Sequence, residues 1–191
     1  MGALYLGLVH YPIYNKNKEI VTTAITNFDI HDIARTARTY GVKQYYVIHH
    51  LESQIDLTKQ IIGHWQTGYG SQYNPDRREA FSILSFVSSI ENATKAVEQC
   101  EGLRPFVVTT DARKYPTTVS YPTMREMIKE RRRPVLLLFG TGWGIEQSVM
   151  EQFDYILEPI YGSCDYNHLP VRSAVAIILD RLAGEDWWQP T

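Results

Sequence analysis

Cysteine is nearly absent from this chain of 191 residues: Cys100 and Cys164 are the only two. Two cysteines imply no disulfide framework, and a reducing cytoplasm is the expected compartment. Long apolar runs are missing too. The longest, 135–139 and 174–179, are strand- or helix-sized, well short of the roughly 20 residues that span a bilayer, so no membrane is expected among the partners. Residues 1–10 show no basic stretch and no small-residue cleavage site, so no signal peptide is expected. Positive charge is not in excess either: 19 Lys and Arg face 21 Asp and Glu, a net charge of −2. A protein held on nucleic acid by charge alone is usually basic, so that class is disfavoured and any nucleic-acid contact must be local. Two local patches exist, Lys129 with Arg131, Arg132 and Arg133, and Arg77 with Arg78; each reads equally well as a solvated helix end. The six histidines show no His-x-x-x-His spacing, and there is no Cys-x-x-Cys, so no metal site is expected. Internal repeats and low-complexity tracts are absent as well.

What is present is alternation, on a composition (44% hydrophobic, 21% charged) that excludes disorder. Apolar runs at 4–9, 44–48, 105–109, 134–139 and 155–158, with a brief one at 86–88, read as strands. Between them, helical spacing of apolar residues covers 30–40, 52–65, 76–84, 91–100, 122–130, 145–152 and 171–182, whereas 68–75 has turn chemistry in Gly68, Gly70, Ser71, Asn74 and Pro75. Strand–helix alternation predicts an α/β fold with a mostly parallel sheet and helices on both faces, in one domain over 1–191. Ligands of such sheets sit at the carboxyl ends of the strands.

Three segments stand at such ends: Val107-Val108-Thr109-Thr110-Asp111-Ala112-Arg113; Leu137-Leu138-Phe139-Gly140-Thr141-Gly142-Trp143-Gly144-Ile145; and Ile156-Leu157-Glu158-Pro159-Ile160-Tyr161-Gly162, which continues through Asn167-His168-Leu169 into the last helix. The glycines at 140, 142 and 144 let backbone approach a ligand closely. They are not a dinucleotide fingerprint, because Ile145 stands where the third glycine would fall, and no Gly-Lys-Ser/Thr follows for a P-loop.

The runs LLLFGTGWGI, ILEPIYG and NHLPVRSAVAIIL together resemble the carboxyl half of the SPOUT methyltransferases, closest to the ribose-methylating branch and to a subgroup of predicted S-adenosylmethionine-dependent RNA methyltransferases. The amino half is similar as well: Asp29-Ile30-His31-Asp32-Ile33-Ala34-Arg35-Thr36-Ala37, then Tyr40-Gly41-Val42, matches that branch's first-helix pattern N-x-G-x-x-x-R-T-A. The resemblance covers about the whole chain. Asp29 and His31 replace the branch's Asn and Gly, Pro170 falls where an Asn would align, and residues 54–78 look like an insertion into the common core.

The resemblance implies a C-terminal deep trefoil knot, S-adenosyl-L-methionine as cofactor, and methyl transfer to a tRNA or rRNA nucleotide at a ribose 2'-O or a base nitrogen. It implies cofactor contacts from Thr109, Thr110, Phe139, Gly140, Thr141, Gly142, Gly144, Ile160, Tyr161, Gly162, Asn167, His168 and Leu169. Arg35 is the implied catalytic residue. A guanidinium is too weak an acid to serve as a base, so holding an RNA phosphate or developing oxygen charge suits it better. Asp32, one turn earlier, would orient Arg35 or act as base; the plainer alternative is a surface ion pair between them. A homodimer is implied too. It agrees with helix 171–182, which is apolar over most of its circumference and so needs cover on more than one face. In 54–78, His64, Trp65, Tyr69, Tyr73, Arg77 and Arg78 suit unstacked RNA bases, or else pack the insertion onto the sheet. Trp187 and Trp188 near the carboxyl end would fold back or meet a partner. Two other functions compete: a non-catalytic knotted homodimer that binds RNA or nucleotide, and an unrelated α/β nucleotide enzyme resting on the glycine turn alone.

Overall fold

A computed structural model describes residues 2–164 and 166–185; the paired tryptophans 187 and 188 lie outside the described residues. In chain order the elements are β1 (Leu4–Val9), β2 (Ile13–Tyr14), β3 (Ile20–Val21), α1 (Asn27–Thr39), β4 (Gln44–Ile48), α2 (Glu52–Gln66), α3 (Tyr69–Tyr73), α4 (Pro75–Phe81), β5 (Leu84–Val87), α5 (Ile90–Glu101), β6 (Phe106–Thr110), β7 (Thr118–Val119), α6 (Tyr121–Lys129), β8 (Val135–Gly140), α7 (Gln147–Met150), β9 (Tyr155–Leu157) and α8 (Val171–Ala183). Seven strands form one sheet in the order β5-β4-β1-β8-β6-β9-β7, parallel at every pairing. The expected α/β architecture is therefore present.

Parallel strands covered on both faces are apolar without alternation, and all of β1 is buried, as is β8 except at Gly140. Each face of the sheet carries its own core. One joins the sheet to α1, α2, α4, α6 and α8 through Ile30, Ile62, Phe81, Met124 and Leu179, among others. The other joins it to α5 and α7 through Ala93, Val97 and Met150. Local chemistry sets the helix ends. The Thr26 hydroxyl accepts from the Asp29 N–H and donates to the Asp29 carboxylate, which starts α1. Gly102, at φ 69°, ends α5 in the left-handed conformation that favours glycine.

The structure departs from the sequence reading at short elements. Residues 68–75 are not all turn: α3 forms there and packs on the end of α2 so closely that a Cβ at Gly70 would meet the Trp65 and His64 rings at 2.8 and 2.9 Å. Strands β2 and β3 pair as an antiparallel hairpin, and β7 adds an edge to the sheet; none of the three was expected.

Helix α8 packs on α1, α6 and β8. Val175, Ile178, Leu179 and Leu182 are buried, whereas Ala174, Ala176 and Ile177 remain half-buried, Ala174 beside the cavity described below. Its carboxyl end is held from α6, where the largely buried Arg125 donates to the carbonyls of Arg181 and Gly184. A cation at a helix C-terminus also meets the negative end of the dipole. Arg125→Met should lower the unfolding free energy by about 2–4 kcal/mol, the size of two charge-assisted bonds lost from partly buried carbonyls. Arg132→Met, on an exposed ion pair with Glu130, should change it by less than about 1 kcal/mol. Urea titration of both variants checks the difference.

Candidate active site

The carboxyl ends of β6, β8 and β9 lie side by side, and the segments leaving them converge on a cavity of about 950 Å³. Thr110 to Arg113 form one wall, Phe139 to Gly144 a second, and Glu158, Ile160 and residues 166–171 a third. Of the residues expected to touch a cofactor, Thr110, Phe139, Gly140, Thr141, Gly142, Gly144, Ile160, Asn167, His168 and Leu169 line this cavity. Thr109 lies wholly buried beneath it with its hydroxyl unpartnered, and Tyr161 and Gly162 lie outside its lining on exposed chain. Asn167 has a structural task as well. Its amide donates to the Ala112 carbonyl at 2.7 Å and ties the third wall to the first.

The β2–β3 hairpin closes the cavity from the amino half and contributes Tyr14, Asn15, Lys16, Lys18 and Thr23. Sequence reasoning missed it; the turn residues Asn15 and Asn17 between β-branched or aromatic flanks were its only signal. The hairpin grips the glycine turn directly. Tyr14 donates to the Gly144 carbonyl at 2.9 Å and Trp143 to the Tyr14 carbonyl at 3.0 Å. Gly142 (φ 55°) and Gly144 (φ 97°) hold conformations that suit glycine. A Cβ at Gly142 would meet the Ile13 side chain at 2.9 Å, so this glycine serves hairpin packing as well as ligand approach.

Beneath the hairpin runs a chain of hydrogen bonds that the sequence did not suggest. Thr141 donates its hydroxyl to the Val9 carbonyl at 3.0 Å. Thr23 then donates to Thr141, which leaves the Thr23 oxygen to accept from His10 Nδ1–H at 3.0 Å. His10 is wholly buried, and its Nε2 has no partner. The ring is therefore neutral, and burial, reinforced by nearby His49, pushes its pKa down to about 3. His49 is neutral by the same logic. Its Nδ1 accepts from the Leu51 N–H, so Nε2–H donates to the Thr23 carbonyl, and burial again lowers its pKa.

Arg35 and Asp32 do not face each other. Arg35 is exposed on α1 and forms no ion pair among the described residues, and neither residue lines the cavity of its own chain. The Asp32 carboxylate is held by Arg172 of α8, with Nη1 at 2.6 Å, and Arg172 Nε also reaches Asp29 at 3.5 Å. Of the three sequence readings of Asp32, as orienter of Arg35, as base and as surface partner of Arg35, the two that pair it with Arg35 find no such contact here; the carboxylate instead joins a clamp between α1 and α8. Asp29 is the α1 carboxylate that faces the cavity. It is mostly buried.

Among the described residues no cluster of His, Cys, Asp or Glu is placed to hold a metal ion, and no helix is long and apolar enough to cross a membrane. Cys100 and Cys164 are free and exposed. S-adenosylmethionine fits what the cavity offers. The volume is that of a small-molecule site. Phe139, Ile160, Leu169, Val171 and Ile178 give an apolar surface suited to an adenine, and the carboxylates of Asp29 and Glu158 suit a ligand bearing a sulfonium and an ammonium, whereas Asp111 is already paired with Arg113.

A parallel sheet with this cavity at its strand ends is the architecture of SpoU-type methyltransferases, in agreement with the SPOUT resemblance. Residues 3–184 match the family described as SAM-dependent RNA methyltransferase, and the chain belongs to that family. It is an enzyme that uses S-adenosylmethionine to methylate RNA. A protein of Aquifex aeolicus, described only as uncharacterized, is 44% identical over 179 residues, covering 94% of this chain and 87% of that one. A protein of Oleidesulfovibrio alaskensis named tRNA (guanine-N(1)-)-methyltransferase is 44% identical over 182 residues. That match takes in 95% of this chain but 42% of the relative, so the chain spans less than half of that protein. The solved structure of the SpoU methyltransferase AviRb from Streptomyces viridochromogenes, in complex with AdoMet, superposes with a TM-score of 0.56 at 17% identity, over 95% of this chain and 57% of that one. This last likeness is one of fold.

The buried histidines make stability depend on pH. An unfolded chain protonates His10 near pH 6.5, whereas the folded protein resists until about pH 3. Stability present at neutral pH is therefore lost as pH falls below 6.5, by roughly 1.4 kcal/mol per pH unit for one such histidine. Urea unfolding at pH 7.5 and pH 5.5 should show this loss, and His10→Gln should flatten it.

Proposed function

We propose that the chain moves a methyl group from S-adenosylmethionine to a nucleotide of tRNA or rRNA, at a ribose 2'-O or a base nitrogen, as a cytoplasmic homodimer. The observation that carries this reading is the convergence of three strand-end segments on one cavity lined by the carboxylates of Asp29 and Glu158. The name of the Oleidesulfovibrio relative favours tRNA. We read residues 1–191 as a single domain with an insertion at 54–78, and the carboxyl part as knotted. Two features support the knot. β8 and β9 slot between strands already placed earlier in the chain, and Arg125 and Ala112, from segments the carboxyl part would cross, bond to it.

Bound S-adenosylmethionine supplies an electrophilic methyl group on a positively charged sulfur. The walls at 110–113, 139–144 and 158–171 would orient it and exclude water. Asp29 would accept a proton or a hydrogen bond from the attacking group. The Arg172 clamp holds both α1 carboxylates at the start of α8. Arg35 lies outside its own cavity, which supports delivery to the cavity of a partner chain, where a cation would hold RNA phosphate or developing oxygen charge. The half-buried Ala176 and Ile177 of α8 suit the contact between chains.

Calorimetry should find S-adenosylhomocysteine bound at micromolar Kd, about −7 to −8 kcal/mol, and purified protein should transfer label from S-adenosylmethionine to bulk tRNA or rRNA. Binding without transfer to any RNA would leave a binding module instead. Arg35→Ala should lower transfer by about two orders of magnitude with cofactor affinity kept. Arg35→Ala mixed with Leu169→Trp, which fills the cavity, should recover about a quarter of wild-type activity, because half of random dimers hold one intact shared site. No recovery would place Arg35 in its own chain's chemistry.

A further inference from the structure

The segment 54–78 was open to two readings, RNA contact or packing onto the sheet, and the structure divides them residue by residue. Trp65 is half-buried against the core. Its ring meets His31 of α1 edge-on at 5.5 Å, and the Arg77 guanidinium lies over it at 4.4 Å. The tyrosines do not pack. Tyr69 and Tyr73, one turn apart on α3, are 74% and 76% exposed, with rings 23° from parallel and centroids 6.4 Å apart. Two large aromatics held this way contact each other and lie outside the core.

Most of the charges beside them lack a counter-charge. Arg38 is neutralised by Glu79, but Arg35, Arg77 and Arg78 have no carboxylate partner among the described residues, and Arg77 Nε is buried without a hydrogen-bond partner. Arg77 and Arg35 both lie near His31: after burial, their charges help to lower its pKa, with Asp32 opposing. Three of the four cations in the other basic patch of the sequence are engaged. Lys129 pairs with Glu126 and Arg132 with Glu130, while Arg133 bonds to the carbonyls of Arg104 and Pro105 and covers Phe106 at 4.0 Å.

We propose that the face made by α3, α4 and the adjoining end of α2 is a docking surface for single-stranded RNA. Bases stack on Tyr69 and Tyr73, and Arg77 and Arg78 hold the backbone on its way to Arg35. Aromatic planes beside unpaired guanidinium groups recognise unstacked bases and phosphate together. The inference rests on the RNA methyltransferase reading and adds where the substrate lies and in what form.

The test uses a fluorescein-labelled 12-nucleotide oligouridylate and a 12-base-pair RNA duplex, with affinity read by anisotropy. Tyr69→Ala/Tyr73→Ala should weaken oligouridylate binding by about 10- to 100-fold and duplex binding much less. Arg77→Gln/Arg78→Gln should weaken it as well and lower the slope of log affinity against log salt by about 1.4, the value for two phosphate contacts on a single strand. Tyr69 and Tyr73 are exposed, so their replacement should keep the melting temperature and the affinity for S-adenosylhomocysteine. Wild-type oligouridylate affinity in both variants overturns the docking surface. Methyl transfer and S-adenosylhomocysteine binding, measured on the same preparations, report separately on the methyltransferase reading. A change in mass by light scattering in the tyrosine variant would show that a second copy of the chain covers this face, and would overturn the proposal too.

Discussion

Everything in the site depends on β8 having a neighbour on each edge. It pairs with β1 from Leu4 to Val9 and with β6 from Phe106 to Thr109, so its backbone bonds are spent on both sides. Buried on both faces as well, it has no freedom of register. A one-residue slip would also move Gly140 away from the turn in which its missing Cβ makes room for the Ile145 backbone at 2.8 Å. Because β8 is fixed, the glycine turn leaves the sheet beside the ends of β6 and β9, and the hairpin that grips the turn is fixed in its place. The cavity follows from strand order before any side chain contributes to it.

The legible parts of this fold were those whose signal is local and long. Continuous apolar runs gave β1, β4 and β8 almost to the residue, since strands buried on both faces need no polar positions. Helical periodicity did the same for α2, α5 and α8, and found α1 three residues short of its start. Two-residue strands have no period to read, which is why β2, β3 and β7 escaped. In 68–75 the turn residues Gly70 and Ser71 lie inside α3; Gly70 there lets the short helix approach Trp65 and His64, a tertiary contact that local turn chemistry does not register.

Within the site the division is similar. The wall residues of the glycine turn and of 167–169 could be named because they leave strand ends in sequence. The Asp32–Arg172 pair could not, since its members are 140 positions apart and meet only through the packing of α1 on α8. Adjacency on one helix suggested Arg35 as the partner of Asp32. A neighbour across the interface, presented at the first turn of α8, is the closer partner. The chain from Val9 through Thr141 and Thr23 to His10 is likewise tertiary: it joins the sheet, the turn and the hairpin, and no single segment hints at it.

The sheet tapers. Its inner strands β1 and β8 have six residues each, whereas the strands at its two margins, β5 and β7, have four and two. A margin that short offers another chain few free peptide groups, so edge-to-edge growth into aggregates gains little at either side. Association of copies through helices or loops would instead be selected by side chains, through shape and charge. Peptide groups do not make that distinction.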